Sequence, residues 1–157
     1  MQTMIKNFIS RKNKRLEKDH PFFGPIVFKG SKPYQYWQSN LILPGCDEPV
    51  TIITYSNKQG PTESQVNFIK EITKDLNGLF ELCRPVFDQD FERLSGVSFD
   101  GHWQNEFKIS IIEIPADASK SKDWSVGYYV KSASSYFTAK FLKGELIYNE
   151  VICKQAL

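Results

Sequence analysis

The stretch Val50-Thr51-Ile52-Ile53-Thr54-Tyr55, the loop Asn57-Lys58-Gln59-Gly60-Pro61 behind it, and then Thr62-Glu63-Ser64-Gln65 decide the fold. Consecutive β-branched residues read as a strand, because branched side chains suit a pleated, half-buried surface. Gly60-Pro61 interrupts it. Thr62 with Gln65 three residues on has the pattern of a capping box, in which two side chains satisfy backbone N–H groups at a helix start. Val66, Ile69, Ile72, Thr73 and Leu76 then recur at helical spacing. The chain switches from strand period to helix period across one short loop.

Upstream of that switch, His20-Pro21-Phe22-Phe23-Gly24-Pro25 is a turn-rich lead-in, stiffened by its prolines. Ile26 to Lys29 reads as a short strand and Gly30-Ser31-Lys32-Pro33 as a turn. Tyr34 to Leu43 reads as a second strand, broken by Pro44-Gly45. With Val50 to Tyr55 these form a meander, since the connections are short. Downstream, Asn77-Gly78 marks a helix stop. Leu79, Phe80, Leu82, Cys83, Val86, Phe87 and Phe91 resume helical spacing, with Pro85 expected to kink the helix or start a new one. Ser95-Gly96 closes the helical region. Strands follow at Phe107 to Ile114, Trp124 to Lys131, Tyr136 to Leu142 and Glu145 to Val151, the last two joined at Lys143-Gly144. In the first of these the apolar phase runs Phe107, Ile109, Ile111 and then Ile112, Ile114. The order β-β-β-α(α)-β-β-β-β predicts an α+β fold, with the helices on one face of an antiparallel sheet.

Composition agrees with that class. The chain has 157 residues, enough for one ordinary domain with its own core. Aromatic residues make up 14%, and they favour sheets. The net charge is +2, but it is unevenly spread. Residues 1–18 carry six basic groups against Glu17 alone, a net +5, while the rest of the chain carries fourteen basic and seventeen acidic groups, a net −3. The expected organisation is therefore a basic amphipathic arm over 1–18 and a single α+β domain over 19–157. In the arm, Met1, Met4, Ile5, Phe8 and Ile9 fall on one helix face. Such a stripe usually docks on the body of its own protein; a membrane-surface or nucleic-acid arm is the alternative. The three cysteines, Cys46, Cys83 and Cys153, have neither disulfide nor metal spacing. With no secretory signal pattern, they read as reduced thiols of a cytoplasmic protein.

Chemistry-bearing motifs are sparse. There is no nucleophile elbow, phosphate loop, dinucleotide turn or zinc-protease helix. His20 and His102 are the only histidines. Asp100-Gly101-His102 could orient a general base, but a local loop hydrogen bond is the simpler reading. Cys83 could act as a nucleophile beside either histidine, yet it falls on an apolar helix stripe and reads as a core thiol. The expectation is no catalytic residue, no cofactor and no metal. Asp88, Asp90 and Glu92, with Asp100 downstream, form the densest acidic stretch. Such a stretch is either a solvated helix face or a patch that meets a basic protein. Trp103 and Tyr36 are the aromatic anchors expected beside it.

The segment His20-Pro21-Phe22-Phe23-Gly24, Trp37 on the next strand and Gln59-Gly60-Pro61-Thr62-Glu63-Ser64-Gln65 at the helix start resembles a group of small bacterial domains found as immunity proteins in polymorphic-toxin loci. The resemblance covers about residues 20–80 and, more loosely, the later strands. It implies a protein that binds and neutralises a cognate toxin without catalysis. From the reading of the arm, no nucleic-acid partner and no stable membrane insertion are expected. A generic adaptor module, membrane-proximal through residues 1–18, is one alternative, and a small enzyme using His102 is another. Flotation with anionic liposomes separates the readings of the arm. The protein is expected to stay with the soluble fraction; flotation that disappears on deleting residues 1–18 would establish the membrane reading instead.

Overall fold

The computed structural model describes residues 15–154, so the predicted helix over 1–9 lies outside the described residues. Eight strands form one sheet in sequence order: β1 Glu17–His20, β2 Gly24–Ser31, β3 Tyr34–Leu41, β4 Val50–Thr54, β5 Phe107–Ile114, β6 Trp124–Val130, β7 Ser135–Leu142 and β8 Glu145–Cys153. Two helices, α1 Glu63–Thr73 and α2 Leu76–Ser95, lie between β4 and β5. Every neighbouring pair is antiparallel except β4 and β5, which run parallel. A parallel pair cannot close through a hairpin and needs a long crossover, which the two helices supply. The α+β class and the element order are as the sequence predicts. β1 is additional, and it places Glu17 and Lys18 in the sheet.

The capping box forms as expected. Thr62 Oγ1 accepts from the Gln65 N–H at 3.3 Å, and Gln65 Oε1 accepts from the Thr62 N–H at 3.0 Å. Gln65 does more than cap. Its side chain is fully buried, and Nε2 donates to the carbonyls of Tyr55 and Pro115, both at 3.0 Å. Those carbonyls sit just past the ends of β4 and β5. One amide thus ties both parallel strands to the helix that connects them.

The helix break lies at Lys74-Asp75 rather than Asn77-Gly78. Asp75 caps α2, its side chain accepting from the Gly78 N–H at 3.0 Å, so Asn77 and Gly78 fall in the first turn. An aspartate cap at that spacing outweighs the turn preference of Asn-Gly. Pro85 starts no new helix; α2 runs through it. The backbone carbonyl that loses its partner belongs to exposed Glu81, where water can serve it. Val66, Phe68, Ile69 and Ile72 of α1 and Leu79, Phe80, Cys83, Phe87 and Phe91 of α2 bury themselves on one face of the sheet. Leu82, read as part of that stripe, is exposed. The phase change in β5 is a bulge between Ile109 and Ile111, which returns Ile112 and Ile114 to the helix side and turns Ile111 away.

The Gln65 amide gives a test of this account. Gln65→Leu removes it while keeping the volume, leaving two buried carbonyls and one N–H unpaired. It is expected to lower unfolding stability by about 2–4 kcal/mol, against about 1 kcal/mol for Thr62→Ala, which loses only the cap. Urea titration measures both. Equal effects would show that the interstrand bonds of Gln65 contribute nothing beyond the cap.

Candidate functional site

The sheet has two unlike faces. All eleven phenylalanines of the described residues belong to the helix-side core or pack against it. Of the seven tyrosines, only Tyr128 does. The others take the opposite strand phase: Tyr36 is next to buried Trp37, and Tyr136 next to buried Phe137. Strand register arranges this second face in rows. One row runs Val27, Gln38, Ile53, Glu113, Ser125, Lys140 and Tyr148 across seven strands. Another runs Lys108, Tyr129, Tyr136 and Ile152.

Small residues occupy the middle. Gly127 packs so closely that an added Cβ would stand 2.5 Å from Ile111 Cγ2 and 3.1 Å from Thr138 Oγ1. Ser125 and Thr138 are buried although, among the described residues, no helix covers this side. Tyrosines flank this low centre. Tyr36 and Tyr55 meet edge to face at 6.0 Å on one side, and Tyr129 and Tyr136 stand 5.2 Å apart on the other. The Tyr55 hydroxyl donates to Glu113 Oε2 at 3.4 Å. Burial first, and the Glu113 carboxylate second, push that phenol up to about 12, so it stays a donor. Lys140 pairs with Glu150 at 3.3 Å, and Lys29 donates to Gln38 at 2.8 Å. Charged and amide side chains are thus interspersed among the aromatics of this face.

The residues expected to form the site do not come together. Asp88 is exposed on α2 and pairs with Arg84 at 3.4 Å. Asp90 turns toward the sheet, accepting from Asn149 of β8 and from Arg93, both at 3.0 Å. Glu92 is exposed one turn beyond Asp88, and Asp100 lies in the loop after α2. Trp103 is no exposed anchor. It is 9% accessible, stacks on Phe80 at 5.0 Å and donates its indole N–H to Asn77 at 2.9 Å. Tyr36 points to the other side of the sheet. An acidic helix face partly neutralised by its own arginines replaces the single patch. The signal that sequence reading passed over was the choice of Tyr rather than Phe at the solvent phase of β3, β6, β7 and β8.

The histidines and cysteines have local roles. The Asp100 carboxylate accepts from the His102 backbone N–H at 2.9 Å, closing a turn instead of orienting the imidazole. His20 Nδ1 accepts from the backbone N–H groups of Phe22 and Phe23 at 3.1 and 3.3 Å. Burial holds its pKa below the usual value, against a weaker contact with the Pro61 backbone. Among the described residues, no group of three or more His, Cys, Asp or Glu side chains is placed to hold a metal ion. A groove of about 530 Å³ runs between the β3–β4 connection and the α1–α2 junction, with Ile42, Leu43, Lys70, Lys74 and Trp103 in its walls. Lys70 is drawn over the Phe22 ring at 5.1 Å.

Comparison with protein-family models, curated proteins and solved structures gives no match to this chain. Among the described residues, no helix is long and apolar enough to cross a membrane.

Thiol reactivity tests this placement. Burial pushes Cys83 up to about 12 and, together with Asp47, raises Cys46, whereas Cys153 is exposed. Only the thiolate reacts. Iodoacetamide at neutral pH should therefore label Cys153 first, Cys46 slowly and Cys83 only after unfolding, as read by peptide mass spectrometry. Native labelling of Cys83 at the rate of Cys153 would contradict a core thiol.

Proposed function

We propose that this protein is a bacterial immunity protein that acts in the cytoplasm by binding a cognate toxin without catalysis. The observation that carries the reading is the sheet face that no helix of the described residues covers, where six of the seven tyrosines follow the phase opposite the core. Tyrosine gives a large, rigid contact area with a polar tip and loses little side-chain entropy on docking. Binding anchors concentrate in such residues. A regular sheet also offers a preformed surface, so little ordering is required on association. The Asp100 carboxylate accepts from the His102 backbone N–H, so the alternative of an enzyme built on His102 has no paired carboxylate and imidazole in its support.

The acidic stretch takes a secondary part in this proposal. Its exposed members, Asp88 and Glu92, stand on the helix side. Charges there would steer the approach of a basic partner and affect the association rate more than the lifetime of the complex.

The test is coexpression with the toxin encoded beside the gene, scored by cell survival and by affinity of the purified pair. Tyr36→Ala combined with Tyr136→Ala is expected to weaken binding at least tenfold and to abolish protection, with the circular dichroism spectrum unchanged. Reversing Asp88 and Glu92 is expected to change the association rate and its salt dependence only. If the tyrosine pair proves silent while the charge reversal abolishes protection, the interface belongs to α2 and this reading is wrong.

A further inference from the structure

We propose that β8 pairs edge to edge with β8 of a second copy of this chain, antiparallel about a two-fold axis, joining two sheets into one. The two edges of the sheet differ. β1 has four residues, among them Glu17, Lys18 and Asp19, a short and charged edge of the kind that discourages pairing. β8 has nine residues and no proline. Ten large hydrophobic residues are exposed in the described chain, and five of them belong to the β7–β8 hairpin: Tyr136, Leu142, Ile147, Tyr148 and Ile152. Asn149, at the middle of β8, is braced to Asp90 of α2 at 3.0 Å, so the edge is held in place before any partner arrives.

The hydrogen-bond phase of β8 fixes how a partner would join. The Lys154 N–H donates to the Ser134 carbonyl at 3.1 Å, directly continuing the register in which Ser135 faces Cys153 and Tyr136 faces Ile152. In an antiparallel ladder, bonded and non-bonded pairs alternate. Residues 152 and 150 therefore bond inward to β7, and the backbone groups of Asn149, Val151 and Cys153 point out of the sheet.

A two-fold axis at Ile152 satisfies the outward groups of Val151 and Cys153 reciprocally, each facing the other residue of the second copy. On the face away from the helices this register sets Ile152 against Ile152 and Glu150 directly opposite Lys154, twice by symmetry. Moving the axis to Glu150 would set two carboxylates face to face, and an axis at Val151 would set the two Glu150 side chains on a diagonal. The edge is thus complementary in charge to itself in the Ile152 register, which favours a second copy over an unrelated strand.

Analytical ultracentrifugation of the full chain across a concentration series tests the proposal. The wild type is expected to sediment as a dimer that dissociates on dilution. Val151→Pro removes an outward N–H and no bond to β7, so it should give a monomer with an unchanged circular dichroism spectrum. Lys154→Glu sets a carboxylate opposite Glu150 and should raise the dimer Kd at least tenfold; adding Glu150→Lys restores opposite charges and should return the Kd toward that of the wild type. A wild type monomeric throughout the series overturns the proposal. So does a dimer indifferent to both Val151→Pro and Lys154→Glu, or one that Lys154→Glu weakens and Glu150→Lys fails to restore. None of these outcomes bears on toxin binding, which the Tyr36 and Tyr136 substitutions probe separately.

Discussion

A single buried amide, that of Gln65, joins the parts of this structure that sequence order keeps apart. The sheet consists of two antiparallel meanders, β1 to β4 and β5 to β8, and they meet only along the parallel pair β4–β5. Past the ends of both strands a carbonyl lacks a ladder partner, and Gln65 Nε2 bonds to each. Its Oε1 holds the Thr62 N–H at the start of α1. Both N–H groups and the oxygen of that amide are used to fix one junction. Leaving any of the three groups unpaired in a buried place would cost roughly as much as several ordinary surface contacts supply.

With the junction fixed, the two faces of the sheet take different chemistry. The helix side is a continuous aromatic cluster in which Phe80 contacts Phe87, Phe99, Trp103, Phe107 and Tyr128. The other side keeps the hydroxylated ring. Phenylalanine and tyrosine differ by one oxygen, and on the helix side that oxygen would need a partner that a closely packed core seldom provides. On the face away from the helices that oxygen can be served, as the Tyr55 hydroxyl is by the Glu113 carboxylate. The aromatic content of the chain therefore serves two purposes, divided strand by strand according to phase.

Much of this was legible in the sequence, and the exceptions have physical causes. The capping box at Thr62 and Gln65, the strand patterns and the turn at Lys143-Gly144 are local signals, and local structure followed them. The double phase of β5 was visible as Phe107, Ile109 and then Ile112, Ile114; only the structure shows it to be a bulge. β1 escaped notice because a four-residue charged edge strand has no apolar phase to detect. The break between the helices was misplaced because Asp75 captured the Gly78 N–H ahead of the Asn-Gly turn. Trp103 was expected outside because it follows a polar loop, but its indole N–H finds Asn77, which lets the ring go in. The acidic stretch looked like one patch because sequence proximity conceals direction; on a helix, Asp88 and Asp90 diverge, and Asn149 claims the second.

The sequential strand order has a consequence for how the chain reaches this state. Nearly all strand pairs join chain neighbours, so they close short loops and incur little entropy in doing so. The β4–β5 seam is different: Thr51 must find Ile111, with both helices in between. Contact order is therefore low almost everywhere and concentrated at one line through the middle of the sheet. Each meander can assemble by local search. The entropy of loop closure is therefore concentrated at the one seam where the crossover helices bring the two meanders together.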